Sequence, residues 1–261
     1  MNDSDKWRAF WEGKSASDLP DFDLDRGMSP RDHETEYLSA QELLGFIQPQ
    51  NSDRLLDAGC GTGVNIMRLH SRVRSIVGID YASGSVERCR KHLQALGVNN
   101  VSLFTGCISE VPFVSGSFDK ILCLSVLQYI DDDEVRRALR EFARLLSPGG
   151  EVILHVKNKS SIYWSTLLLA KRMLRILGSK AESYNVRPFE WYTRELKGAG
   201  FCVVDFNSSN ICVLDVMPKS FVSHLQRFEL RHHHGWLMQN RLIRSHGADL
   251  KIKARSGVGE P

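Results

Sequence analysis

Leu55-Leu56-Asp57-Ala58-Gly59-Cys60-Gly61-Thr62-Gly63 decides how the chain is read. Arg54 to Ala58 is a short apolar run of the kind a buried strand shows. It ends in three alternate glycines and is followed by a helix from about Val64 to His70. Glycine is needed where a ligand must lie against the backbone, and where a tight turn requires positive φ. A strand that turns through glycines into a helix offers a binding crevice at the carboxyl end of a parallel sheet.

The spacing separates two kinds of ligand. Dinucleotide sites use Gly-x-Gly-x-x-Gly, whose third glycine admits a pyrophosphate at the helix start. Here the order is Gly59-x-Gly61-x-Gly63, with Asp57 two residues ahead. A carboxylate there repels a diphosphate and attracts an ammonium or sulfonium. Asp80 closes the next strand, Ser75 to Asp80, and stands where a ribose would offer two hydroxyls. The expected ligand is an adenosine that carries a positive charge and lacks phosphate.

Outward from the glycine turn the alternation is regular. Further strands are expected at Val101–Phe104, Phe118–Leu124, Glu151–Lys157, Phe201–Phe206 and Asp249–Ala254. Helices are expected at Ser83–Leu96 and Asp131–Leu146, the latter with Pro148-Gly149-Gly150 behind it. Strands alternating with helices of 10–15 residues specify a parallel sheet covered on both faces. Residues 33–48 place Tyr37, Leu38, Leu43, Leu44 and Ile47 at helical spacing, whereas 1–30 read as an aperiodic arm held by Trp7, Phe10 and Trp11. Two stretches, about 160–188 and 208–247, break the alternation as insertions; the first holds an expected helix, Tyr163–Leu177.

Composition removes other classes. With 42% apolar and 25% charged residues in 261, the chain is globular in type. Its most apolar segment, Ile162 to Gly178, is interrupted by Lys171, Arg172 and Arg175 and falls short of the roughly 18–20 residues of a membrane span. The polar start carries no secretory apolar region. Six scattered cysteines without a Cys-x-x-Cys pair suit a reducing cytoplasm. Residues 1–50 hold 5 basic and 11 acidic side chains (5 − 11 = −6), and residues 219–255 hold 8 and 2 (8 − 2 = +6) with five histidines.

The chain resembles the class I S-adenosylmethionine-dependent methyltransferases, in particular the ubiquinone/menaquinone-methyltransferase-like group. The matching pieces are LLDAGCGTG (55–63), VGID (77–80), Val111-Pro112-Phe113 with Ser117-Phe118-Asp119, and Leu145-Leu146-Ser147-Pro148-Gly149-Gly150. The resemblance covers Asp53 to Lys157 well and thins toward Phe206. It implies an α/β fold: a doubly wound, Rossmann-like, seven-stranded sheet with an antiparallel last strand and two helical insertions forming a lid. The implied organisation is an arm and cofactor-covering helix at 1–50, then the methyltransferase domain at 51–261.

Carried over by that resemblance, Gly59, Cys60, Gly61 and Gly63 lie under the methionine part of S-adenosylmethionine, beside Asp57. Asp80 and Tyr81 meet the ribose, Cys107 and Ile108 flank adenine, and Leu124 to Gln128 line the donor pocket; Tyr37 comes from the covering helix. The family usually has an acid where Cys107 stands, and a thiol is a weak acceptor. Cys60 itself is no nucleophile, since it occupies an ordinary position of this loop.

A hydroxyl acceptor needs its proton removed near the transition state. The candidate bases are Tyr129, His155, Tyr184 and His233, with a structural, hydrogen-bonded role as the alternative for His155. Three adjacent histidines, His232 to His234, point in different directions on a helix and have no accompanying carboxylates, so no metal is expected. The insertions and the residues beside them (Tyr163, Trp164, Tyr184, Phe189, Trp191, Tyr192, Phe221, Phe228, Trp236) suit a large, partly apolar or anionic acceptor. The ending GADLKIKAR (247–255) resembles methyltransferases of surface-glycan and lipid-linked sugar pathways. The expected acceptor is therefore a small-molecule or glycan/lipid-linked hydroxyl. The apolar face of the 160–188 helix reads first as a lid packed on the domain, with peripheral membrane contact as the sharper reading. RNA or protein methylation, a non-catalytic scaffold and an oxidoreductase are the alternatives; the chain has no base-methylating tetrapeptide or RNA-binding aromatic motif.

Overall fold

The computed structural model describes residues 3–15, 33–161, 164–165, 184–209 and 248–257. The strands are β1 (Arg54–Ala58), β2 (Ser75–Asp80), β3 (Val101–Thr105), β4 (Phe118–Leu124), β5 (Leu146–Lys157), β6 (Phe201–Ser209) and β7 (Asp249–Ser256). They form one seven-stranded sheet in the order β3-β2-β1-β4-β5-β7-β6. Neighbours from β3 to β5 are parallel. β7 runs antiparallel to both β5 and β6. This is the doubly wound arrangement expected from the alternation, with the antiparallel last strand in place.

The order reverses at β1, between β2 and β4, so the crevice above its carboxyl end is the switch point where doubly wound sheets bind ligands. The helices are α1 (Asp3–Ser15), α2 (His33–Ile47), α3 (Val64–Leu69), α4 (Ser83–Ala95), α5 (Asp132–Leu145) and α6 (Phe189–Gly198). One face of the sheet packs Phe46 and Ile47 of α2, Ile66 and Leu69 of α3 and Cys89 and Leu93 of α4 on Leu55, Ile76, Leu122 and Ile153. The other face packs Val135, Leu139 and Phe142 of α5 and Tyr192 and Leu196 of α6 on Leu56, Ile121, Val152 and Leu154. α5 starts where Asp131 accepts the Glu134 N–H at 2.8 Å, a side-chain N-cap.

Three expectations about the elements change. Residues 3–15 are helix, not aperiodic arm: Trp7, Phe10 and Trp11 sit at i, i+3 and i+4, one face of a helix whose other positions are charged, polar or small. Phe189 and Tyr192 are core residues of α6, 8% and 0% exposed, and not acceptor-pocket aromatics. Their spacing with Leu196 (i, i+3, i+7) drives that face into the sheet. β5 begins at Leu146, so Pro148-Gly149-Gly150 belongs to the start of a strand, with Gly149 at φ 76. The insertions at 160–188 and 208–247 lie outside the described residues except at their ends, and with them the Tyr163–Leu177 helix.

At the amino end of the sheet Asp119 ties β1 to β4. Its carboxylate accepts the Arg54 backbone N–H (2.9 Å), the guanidinium (3.0 and 2.9 Å) and the Ser147 hydroxyl (2.9 Å). The Arg54 hydrogen bonds hold the Asp119 carboxyl down to about 2. A folded-state value below the ordinary 3.8 means stability that is present above that value and lost as the pH falls toward 2. Thermal melts from pH 5 to 2 should accordingly fall more steeply for the native chain than for Asp119→Asn; parallel curves would show that this cluster does not set acid stability.

Candidate functional site

The glycine turn hands the chain from β1 to α3 with Gly59, Gly61 and Gly63 at φ 87, 53 and 89. These are left-handed values that glycine alone adopts without cost. The turn is also closed sterically. A Cβ on Gly59 would lie 2.2 Å from Val126 Cγ2, and one on Gly63 would lie 2.3 Å from Cys89 Sγ.

The amides of this turn are already engaged with the end of β2. Gly59 and Cys60 N–H donate to the Ile79 carbonyl at 2.7 and 3.1 Å, and Gly63 N–H donates to the Cys60 carbonyl at 3.0 Å. Gly61 N–H donates to Asp80 Oδ2 at 2.9 Å, and Ala82 N–H to Asp80 Oδ1 at 2.9 Å. These amides therefore hold the turn on β2 and are not offered to a ligand. Burial pushes the Asp80 carboxyl up, against the pull of the Ala82 and Gly61 N–H groups. A carboxylate has about four acceptor positions, so one bond per oxygen leaves room for hydroxyl donors.

Asp57 sits on β1 at 1% exposure, and its charge helps burial raise the Cys123 thiol on β4. Cys60 Sγ turns into the core, 3.1 Å from where a Cβ on Gly78 would be, so Cys60 shapes the turn through its backbone. Ile108 is buried in the core at 5% exposure, while Cys107 is exposed. The Cys107 Sγ lies 3.2 Å from Glu134 Oε1 on α5, and the same carboxylate meets Ser109 and Arg137. Burial pushes Glu134 up, but the bonds from Ser109, Arg137 and Cys107 outweigh it and keep the carboxyl below its usual range.

α1 lies against the same end of the sheet. Glu12 accepts the Ser83 N–H at 3.1 Å, and the Tyr81 hydroxyl donates to the Trp7 carbonyl at 3.3 Å. Trp7, 3% exposed, stacks on Tyr184 (5.5 Å, 14°) and meets Tyr129 at 4.7 Å; Trp11 also meets Tyr129, and Trp164 meets Tyr184 at 5.8 Å. The structure thus brings Tyr129 and Tyr184 together under α1. Tyr37, on α2, is outside this cluster and 63% exposed. His233 lies outside the described residues.

Leu124 ends β4 half-buried, and Gln128 is buried with its Nε2 donating to the Ser125 carbonyl at 2.8 Å. Gln128 Oε1 has no hydrogen-bond partner among the described residues. His155, on β5, shares a 2.7 Å hydrogen bond between Nδ1 and Ser125 Oγ. Sequence reasoning reached Ser125 only as one position of the Leu124–Gln128 stretch, without its pairing to His155, and missed Glu134 and Glu12. Ser125 has no local signal, because a serine at positive φ is written by its surroundings. Glu134 was visible only as one of a run of acids at a helix start.

The fold is the α/β, Rossmann-like arrangement of class I methyltransferases. Residues 55–150 match a family described as "Methyltransferase domain". The uncharacterized methyltransferase YcgJ of Bacillus subtilis is 35% identical over 101 residues, 39% of each chain. Its crystal structure superposes with a TM-score of 0.58 over 85% of this chain and all of that one, at 19% identity. Ubiquinone biosynthesis O-methyltransferase of Saccharophagus degradans is 27% identical over 140 residues, 52% of this chain and 58% of the relative. Phosphoethanolamine N-methyltransferase 1 of Haemonchus contortus, solved with phosphoethanolamine and S-adenosylhomocysteine, gives a TM-score of 0.69 at 16% identity over all of this chain and 51% of that one. The matches span 39% and 58% of these two curated relatives.

Asp80 carries the clearest prediction of the site. Asp80→Ala removes the acceptor for the Gly61 and Ala82 N–H groups that hold the turn, and the side chain expected to meet the ribose. It should weaken S-adenosylhomocysteine binding by about 1–3 kcal/mol, roughly 5–150-fold. Calorimetry with wild type and variant measures this; unchanged affinity would put the ribose elsewhere.

Proposed function

We propose that the protein is an S-adenosylmethionine-dependent methyltransferase acting on a small-molecule or glycan/lipid-linked hydroxyl, built as a covering segment at 1–50 and a catalytic domain at 51–261. The observation that carries the reading is the glycine turn between two acids, Asp57 and Asp80, with its Gly59, Cys60 and Gly61 N–H groups donating to β2. These residues fit the cofactor: Asp80 is a carboxylate with spare acceptor positions, Asp57 is a buried acid suited to an ammonium, and Gln128 Oε1 has no hydrogen-bond partner among the described residues. Glu134 beside Cys107 supplies a carboxylate close to where the resemblance calls for an acid. The resemblance to an O-methyltransferase of ubiquinone biosynthesis supports an oxygen acceptor.

When bound, S-adenosylmethionine supplies a methyl group on sulfonium with its leaving group built in. The chain's part is to align and to exclude water. Asp80 and the glycine turn fix the nucleoside end, and Asp57 neutralises an ammonium. The Trp7–Tyr129–Tyr184 cluster covers the crevice with apolar rings. The acceptor reading is tested by incubating wild type and Asp80→Ala with methyl-tritiated S-adenosylmethionine and cell extract, then separating lipid, small-molecule, RNA and protein fractions. Label in the lipid or small-molecule fraction, lost in the variant, is expected; label confined to RNA or protein would overturn the acceptor class.

A further inference from the structure

Among the described residues only Gln48 and Ser125 hold positive φ without being glycine. Gln48 (φ 52) follows the last turn of α2, where its N–H donates to the Leu44 carbonyl, an ordinary helix ending. Ser125 (φ 61) ends no helix. It leaves β4 at the carboxyl edge of the sheet, and three hydrogen bonds hold it there. Its N–H donates to the His155 carbonyl at 2.8 Å, its carbonyl accepts Gln128 Nε2 at 2.8 Å, and its hydroxyl pairs with His155 Nδ1 at 2.7 Å. A strained residue over-determined in this way is characteristic of functional sites.

Its place is specific. The next residue, Val126, is the one whose methyl packs on Gly59, so Ser125 stands one residue from the glycine turn. Ser125 and His155 are both half-buried. From these observations we infer that Ser125 and His155 form the proton-accepting pair at the methyl-transfer position, an inference that rests on the methyltransferase reading. As the acceptor oxygen bonds to the methyl carbon, the carbon–sulfur pair stays on sulfur. The acceptor's proton passes to Ser125 Oγ while the hydroxyl proton passes to His155 Nδ1. The imidazolium then returns its proton to water. A merely structural pair would join β4 to β5 and have no influence on what occupies the methyl position.

Sinefungin tests this without knowledge of the acceptor, because it carries an amine where S-adenosylmethionine carries its methyl, and S-adenosylhomocysteine carries nothing. Binding of both to the full chain is measured by calorimetry. His155→Gln and Ser125→Ala should lose tenfold or more in sinefungin affinity with less than a threefold change for S-adenosylhomocysteine, which also reports folding. Ser125→Gly accepts φ 61 without strain and carries the test if the others fold poorly.

The pH profile adds a second readout. Among the described residues, the sheet register sets Lys251 of β7 opposite His155 and Asp249 opposite Lys157 on its own strand; Glu42 of α2 pairs with Lys251 at 2.5 Å, and Lys157 and Asp249 pair at 2.6 Å. Of these side-chain types only imidazole ordinarily changes charge between about pH 5 and 8. Lowering the pH from 8 to 5.5 should therefore weaken sinefungin relative to S-adenosylhomocysteine in wild type and leave the ratio flat in His155→Gln. An affinity ratio unchanged in the variants, or an equal pH dependence in both proteins, overturns the pair. Absence of S-adenosylhomocysteine binding to wild type overturns the methyltransferase reading itself, and the pair with it.

Discussion

Gly59→Ala should destabilise the protein by about 2–5 kcal/mol, the sum of a left-handed φ for a residue with a Cβ and the overpacking it causes. The residue holds φ 87, and its new methyl would lie 2.2 Å from Val126 Cγ2 and 3.3 Å from two further Val126 carbons. Valine is stiff at χ1, and Val126 is anchored between Ser125 and the buried Leu127. The clash must therefore be relieved by moving the turn, which also moves the Gly61 N–H away from Asp80. Loss of S-adenosylhomocysteine affinity by at least about tenfold should accompany the loss of stability. The double variant Gly59→Ala/Val126→Ala separates the two causes. Urea melts should show the packing part recovered and the backbone part retained; a double variant no better than the single one would show that backbone conformation alone dominates.

Arg187→Ala should be comparably costly, for a different reason. Arg187 is 5% exposed and donates to the carbonyls of Leu127 (2.7 Å), Ile130 (2.8 Å) and Asn185 (3.2 Å), while its Nε meets Asp132 at 2.7 Å and its guanidinium lies 4.7 Å from the Trp191 ring. It fastens the segment before α6 to the turn after β4. Truncation strips partners from buried carbonyls, at about 3–5 kcal/mol. The ion pair is the smaller part, because Asp132 is 53% exposed and such pairs contribute about 0–1 kcal/mol. Asp132→Ala should accordingly be mild. Arg187→Lys should recover only part of the loss, since a single ammonium cannot replace a fork that reaches three carbonyls. Equal losses from Asp132→Ala and Arg187→Ala, measured by urea denaturation, would reverse this ranking.

The inner strands β1, β2 and β4 were legible because a parallel strand buried on both faces writes itself as an apolar run, and Gly59 and Asp80 close the first two. The glycine turn was legible for the same reason that it is fragile: only glycine holds those φ values. α1 was readable but disguised, its short Trp7, Phe10 and Trp11 face set among charged and small residues. The aromatic run at 189–192 was misassigned to a substrate pocket because periodicity without a partner does not tell a core face from a binding face; α6 buries Phe189 and Tyr192 on the sheet. What the sequence did not disclose are long-range bonds: Arg187 to loop carbonyls about 60 positions away, Ser125 to His155 across two strands, and Glu134 to Cys107. None leaves a local pattern, since each joins segments that meet only after the sheet has formed.

Titration calorimetry of S-adenosylhomocysteine into the full chain, run beside NAD, meets the central claim head on. One site per chain for S-adenosylhomocysteine and no heat from NAD is the result predicted by a phosphate-free crevice between Asp57 and Asp80. No heat from S-adenosylhomocysteine, or binding of NAD in its place, would contradict it.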